Sequence, residues 1–260
     1  MIIDSHAHLE MSEFDSDREE VIRRATEAGV VYIITVGINL EFSRKAASLA
    51  RKHKNIYASI GVHPHDVDRA DKSTYDALKE LAHQQKQKVV AYGEIGLDFF
   101  RNISSQEKQL GAFGLQLELA RELNLPVIIH DREAHQQCIE IVKSSGVRRG
   151  VFHCFSGDYE MAKKCIDLGF YISVPGVVTF DKAKTIQDVA ERVPLSSLLL
   201  ETDAPYLAPI PYRGKRNEPS FIINTAKKVA EIRKIPWEEV ASVTSCNAMS
   251  LFGIEASGKN

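Results

Sequence analysis

Apolar residues along this chain fall into short runs that alternate with longer stretches in which they recur every three or four positions. The short runs read as buried strands and the longer ones as amphipathic helices. Eight strands are predicted: Ile2 to His6, Val30 to Val36, Ile56 to Val62, Val89 to Ile95, Val127 to His130, Gly150 to His153, Phe170 to Val174 and Leu198 to Glu201. Helices are predicted between them, among them Asp17 to Ala28, Phe42 to Lys52, Ser105 to Leu123 and Ala134 to Ser145. Ser105 is placed to cap its helix, although Lys108 stands where a capping box would carry Glu or Gln. Gly29, Gly146 and Gly169 each follow a predicted helix, where a left-handed residue is wanted. After the last strand a Pro/Gly-rich loop from Ala204 to Pro219 leads to two or three helices ending near Phe252. Strands recur about every 30 residues, as repeated β/α units require. The pattern predicts one α/β domain, a (β/α)8 barrel of TIM type over residues 1–255, with a frayed tail over 256–260. A doubly wound open sheet is the alternative fold; the strand count and the polar residues at strand ends favour the barrel.

Those polar residues carry the chemistry. Asp4-Ser5-His6-Ala7-His8 ends the first strand, where residues two apart share a face, so His6 and His8 can share a metal ion. Strands four, five, six and eight are also broken at their C-terminal ends by metal-binding types: Glu94, His130, His153 and Asp203. In a barrel these ends converge on one mouth. Six ligands exceed a closed tetrahedral site and suit two divalent ions. His6, His8 and Asp203 would hold one, His130 and His153 the other, with Glu94 bridging. Ions about 3.5 to 4 Å apart can activate a water and stabilise a leaving oxygen, which points to hydrolysis. Asp203 doubles as proton acceptor and, with Glu94, makes up the catalytic pair. Glu201, one layer deeper, is expected to hydrogen-bond a ligand rather than react.

Around this centre the sequence offers candidate substrate contacts. His63 and His65, in Gly61-Val62-His63-Pro64-His65, end the third strand and are expected at the mouth rim, donating to a phosphate but not needed as ligands. Arg213, Lys215 and Asn217, in Tyr212-Arg213-Gly214-Lys215-Arg216-Asn217, form the one compact basic cluster expected to reach the mouth. Phe99, Phe100, Phe155, Phe180, Tyr206 and Tyr212 fall in mouth loops, where rings either pack the loops or stack on bases. Cys154 is expected to point away from the barrel interior, and His53, His83 and His135 to be ordinary surface residues. No G-x-S-x-G, P-loop or G-x-G-x-x-G turn occurs.

Composition narrows this further. In 260 residues, 44% of them hydrophobic, one large core is available, and a formal net charge of −2 excludes holding nucleic acid by overall charge. Phosphate contacts must therefore be local. Cys138, Cys154, Cys165 and Cys246 show no close pairing, which fits reduced thiols, and no window carries the roughly 18 apolar residues of a membrane helix. With no signal-like N-terminus, a cytoplasmic protein without an obligate partner is expected.

From Ile2 to about Phe252 the motifs resemble those of the TatD-type metal-dependent deoxyribonucleases, within the amidohydrolase-like barrels. The resemblance rests on Asp4 to His8, Gly61 to His65, Gly93 to Asp98, Pro126 to His130, His153 to Gly157, Glu201 to Pro205 and Arg213 to Asn217. It implies that His6, His8, Glu94, His130, His153 and Asp203 ligate the metal. It also implies a nuclease acting on DNA, often from a 3′ end, on single-stranded or end-frayed substrate. Glu94 separates the chain from amidohydrolases bridged by a carboxylated lysine, and Phe99 and Phe100 stand where the family often has a tyrosine. Two divalent ions follow, with Zn2+ or Mn2+ favoured by histidine ligands and Mg2+ by the resemblance. Two other readings stay open: an amidohydrolase-type enzyme cleaving an amide, lactone or aminoacyl ester, and a metal- or nucleic-acid-binding module without turnover.

Overall fold

The computed structural model describes residues 1–255, so the expected tail over 256–260 lies outside the described residues. Strands form where the apolar runs lie: β1 (Ile2–Ala7), β2 (Val30–Val36), β3 (Ile56–Ile60), β4 (Val89–Asp98), β5 (Val127–Arg132), β6 (Gly150–Phe152), β7 (Phe170–Val174) and β8 (Leu198–Leu200). All neighbours pair in parallel in the order of the sequence. The sheet closes where Ala7 bridges Ala204, with Asp203 N donating to His6 O at 2.9 Å and His8 N to Ala204 O at 2.7 Å. The open-sheet alternative is thereby excluded.

Helices alternate with the strands: α1 (Arg18–Glu27), α2 (Leu40–Lys52), α3 (Lys72–Gln84), α4 (Gln106–Glu122), α5 (His135–Ser145), α6 (Tyr159–Asp167), α7 (Lys184–Arg192), α8 (Ile222–Arg233) and α9 (Trp237–Phe252). Ser105 caps α4 by accepting from Lys108 N, and Asn39 and Asp158 cap α2 and α6 in the same way. Each cap satisfies a backbone donor at a helix start that would otherwise be orphaned. Gly146 ends α5 at φ +76, as expected of a left-handed C-terminal residue.

The main core lies where the helices cover the strands and includes Phe113, Leu117, Phe152, Val189 and Val229. A smaller cluster joins Ile3, Val90, Ile128, Val151 and Leu199, drawn from five strands, to Ala248, Leu251 and Phe252 of α9. Asn247 on α9 donates to the carbonyls of Leu195 and Leu198 and so ties that helix to the start of β8. No helix among the described residues is long and apolar enough to cross a membrane.

Candidate metal centre

His6 lies on β1 and His8 just beyond it. Pairing of β1 with β2 shifts between Asp4 and Ala7, and that of β4 with β5 shifts between Tyr92 and Ile95. Strict alternation is therefore broken at His6 and Glu94, as irregular strands commonly are beside functional sites. Gly96 follows at φ +141, where a Cβ would overlap the His130 carbonyl oxygen, so β4 can approach β5 here only with glycine. His153 and Asp203 stand just past the ends of β6 and β8, and Cys154 and Asp203 take left-handed backbone angles, φ 43 and 55.

Glu94, 3% exposed, divides its carboxylate between two groups. Its Oε2 lies 3.4 Å from His6 Nε2 and 3.7 Å from His8 Nε2, and Asp203 Oδ1 lies 3.7 Å and 3.5 Å from the same nitrogens. The two nitrogens are 3.2 Å apart. On the other side, Oε1 lies 2.7 Å from both His130 Nδ1 and His153 Nε2, and 3.4 Å from His63 Nε2. Two donors each about 2.1 Å from one ion at a tetrahedral angle stand about 3.4 Å apart, so the first group has the spacing of a divalent-cation site. Ring orientation agrees. The Nδ1–H of His8 donates to the Val36 carbonyl at 2.8 Å, which leaves the Nε2 lone pair facing the group. His130 similarly turns Nε2 to Asp98 Oδ2 at 3.3 Å and Nδ1 to Glu94.

Charge points the same way. Burial pushes the Glu94 carboxyl up, but the charge on His153 and the bonds from His130 and His153 outweigh it and hold it well below the usual range. Asp203 is lowered too, burial being overcome by His8, His6 and His153. Burial pushes His8 down, yet Asp203, Glu10 and Glu94 raise it well above an ordinary imidazole; His153 is raised by Glu94 and Glu201 against the same burial. The buried carboxylates thus demand positive charge, which a cation supplies as well as protons do. Burial instead drives His63 down to about 4 despite Glu94, leaving it neutral with a lone pair to offer.

All six residues expected as ligands are therefore brought together. His63, expected at the rim, is instead buried within the second group, because the turn after β3 carries it inward against Glu94. His65 stays part-exposed and binds Asp98 Oδ2 at 2.8 Å. Asp98 also accepts from Arg101 N at 2.7 Å, so one buried carboxylate orients His65, His130 and the turn after β4. β4 runs on to Asp98, three residues beyond the strand end predicted at Ile95, and so brings this carboxylate to the centre. Glu201 accepts from Cys154 N at 2.6 Å and lies 3.6 Å from His153 Nδ1. Asp4, buried and pushed up to about 8 mainly by that burial, accepts from Thr202 N and Oγ1 and fastens β1 to the chain leaving β8.

The basic loop departs furthest from expectation. Asn217 is fully buried, its Nδ2 donating to the carbonyls of Thr202 and Tyr206 and its Oδ1 accepting from Glu218 N, so it has nothing left for a substrate. Arg213 packs on the Phe180 ring at 4.5 Å, and Arg216 is held by Asp17 at 2.7 Å. Neither Arg213 nor Lys215 lines the cavity over the centre. That cavity, about 830 Å³, lies within the roughly 300–1,000 Å³ of ligand pockets and is lined instead by Arg101, Arg132, Lys182 and Lys184. Arg132 stands two residues past His130 on β5, a spacing legible in the sequence; the two lysines had no such signal. Cys154 also lines the cavity rather than facing away from it, and burial with nearby Asp203 and Glu201 pushes its thiol well up, so it is protonated and no nucleophile. His83 is exposed as expected, but His53 is only part-exposed and His135 is half-buried against Asp131 at 2.9 Å. Asn217→Ala should act as a folding variant, costing about 2–3 kcal/mol because the Thr202 and Tyr206 carbonyls lose their donor. Calorimetry should then show a Tm lower by roughly 5–10 °C, with substrate KM unchanged in the folded protein.

An eight-stranded β/α barrel with a buried acid/histidine centre at the C-terminal mouth defines the class: a metal-dependent hydrolase. Residues 3–253 match the family described as TatD related DNase. The chain is 42% identical to the uncharacterized metal-dependent hydrolase YabD of Bacillus subtilis, covering 98% of this chain and 100% of that one. It is 38% identical to the 3′-5′ ssDNA/RNA exonuclease TatD of Erwinia amylovora, covering 97% and 100%. The crystal structure of the TatD homologue YJJV from Escherichia coli K12 superposes with a TM-score of 0.93 at 34% identity, covering 98% of both chains. The chain belongs to the TatD family of metal-dependent hydrolases.

Proposed function

We propose that this protein removes nucleotides from the 3′ end of single-stranded DNA by phosphodiester hydrolysis. Two divalent cations would be held by His6, His8, Glu94, His130, His153 and Asp203, with His63 joining the second group. The observation that carries this reading is the division of Glu94 between two donor groups at the floor of a cavity lined by four cationic side chains. Bound cations would supply Lewis-acid charge at a phosphoryl oxygen and make water nucleophilic near neutral pH. The remaining work falls to the chain. Asp203, whose Oδ1 faces His6 and His8, takes up the proton at its other oxygen, Oδ2. Arg101, Arg132, Lys182 and Lys184 orient the non-bridging phosphate oxygens through charge-assisted bonds, a local patch that a net charge of −2 makes necessary. A polyanionic phosphodiester chain engages several such charges, whereas an uncharged amide, lactone or ester would not. The exonuclease named in Erwinia supports the strand state and polarity, and unbridged cysteines fit a cytoplasmic location.

The test is hydrolysis of a 5′-labelled single-stranded oligomer by protein stripped with EDTA and then given Mg2+, Mn2+ or Zn2+. A ladder shortening from the 3′ end, appearing only with metal, is the expected result. Binding without release would favour a binding module, and cleavage of simple esters or lactones but not the oligomer would favour the amidohydrolase reading; either result overturns the proposal.

A further inference from the structure

Seven large hydrophobic side chains are conspicuously exposed among the described residues, and five of them lie on two loops at the mouth: Phe100 and Ile103 after β4, and Tyr206, Leu207 and Ile210 after β8. These two loops stand four strands apart around the barrel, on opposite sides of the mouth, and the one after β4 also carries Arg101, which lines the cavity. The two adjacent phenylalanines after β4 behave differently. Phe99 packs down against the core, whereas Phe100 stands 55% exposed. The Arg132 guanidinium carbon lies 4.2 Å from the centroid of the Phe100 ring and covers one of its faces. Asp98 pairs with Arg132 across β4 and β5, Phe99 N donates to Arg132 O at 2.9 Å, and Asp98 accepts from Arg101 N. The ring is thus carried on a turn that these backbone bonds tie to the ends of β4 and β5.

We propose that Phe100, backed by Arg132, is a stacking platform for one unpaired base at the mouth, and that it selects base-bearing single strands over other phosphodiesters. Every base has an aromatic face, so such a platform tolerates sequence but requires a base that has left its own stack. Arg132 serves both sides of this arrangement, because it covers the ring and also lines the cavity, beside Arg101. A nucleotide whose base rests on the open face of Phe100 places its phosphate next to two guanidinium groups. A duplex end cannot use the platform until it frays. For its activity readout this inference rests on the phosphodiesterase reading above; its binding readout does not.

The experiment compares wild type, Phe100→Ala and Phe100→Trp on two oligomers of equal length and charge, one single-stranded oligothymidine and one built of abasic sugar phosphates. Phe100→Ala should raise KM for oligothymidine roughly 5- to 160-fold, the range that one stacked base represents, with the loss in KM rather than kcat. It should leave KM for the abasic oligomer unchanged, and Phe100→Trp should restore the wild-type value. Fluorescence anisotropy of labelled oligothymidine on EDTA-treated protein should show the same ratio of Kd values. An equal loss on both oligomers, or no loss on either, overturns the platform. Should wild type bind oligothymidine without cleaving it, the phosphodiesterase reading fails, and the anisotropy ratio alone decides the platform.

Discussion

Glu94→Gln should lower turnover on a single-stranded oligomer by about 10³-fold or more, and should also reduce the divalent metal retained after gel filtration. The substitution keeps the shape of the side chain and removes the one charge on which both donor groups converge. Each carboxylate oxygen now faces its own set of imidazole nitrogens, Oε2 toward His6 and His8, Oε1 toward His63, His130 and His153. An amide presents an N–H pair to one set, where a lone pair is needed, and carries no charge for either. Elemental analysis and single-turnover kinetics on the same sample check this. Full metal content with full activity would show that Glu94 bridges nothing. Full content with lost activity would place its role in the reaction rather than in binding.

Asp203→Asn should lower kcat by roughly 10²- to 10⁴-fold, the scale of a lost proton acceptor, while leaving the fold intact. The choice of Asn matters. Asp203 has φ 55, a left-handed conformation that Asn tolerates better than other non-glycine residues, so the backbone bonds from Asp203 N to His6 O and from Tyr206 N to Asp203 O can survive. Alanine would mix a catalytic loss with backbone strain at the very point where the barrel closes. Circular dichroism should match wild type, and turnover of the oligomer should be the quantity that falls. Near-normal kcat would remove Asp203 from proton transfer.

How much of this was legible beforehand depends on what kind of interaction decides it. Ser105 was readable as a cap because its partner, Lys108 N, is three residues away. The convergence of His6, Glu94, His130, His153 and Asp203 was readable because parallel strands in a β/α barrel must share a direction, and a residue at a strand end inherits its place from that rule. His63 lines the cavity and faces Glu94 because the turn after β3, and not a periodic pattern, sets its direction. The basic loop misled for a related reason. A run of Arg, Gly, Lys, Arg and Asn has the composition of a phosphate loop, but Asn217 found the carbonyls of Thr202 and Tyr206, and Arg216 found Asp17, about two hundred residues earlier.

The eight β/α units and the acid and histidine types at strand ends are written along the chain, since local periodicity and side-chain chemistry act over a few residues. Long-range contacts set the rest: the register shifts beside His6 and Glu94, the division of the Glu94 carboxylate, the inward turn of His63, and the lining of the cavity by Arg101, Arg132, Lys182 and Lys184 instead of Arg213 and Lys215. Each depends on which distant group satisfies a buried donor, acceptor or charge, and a buried polar group takes whatever partner the closed barrel brings within reach.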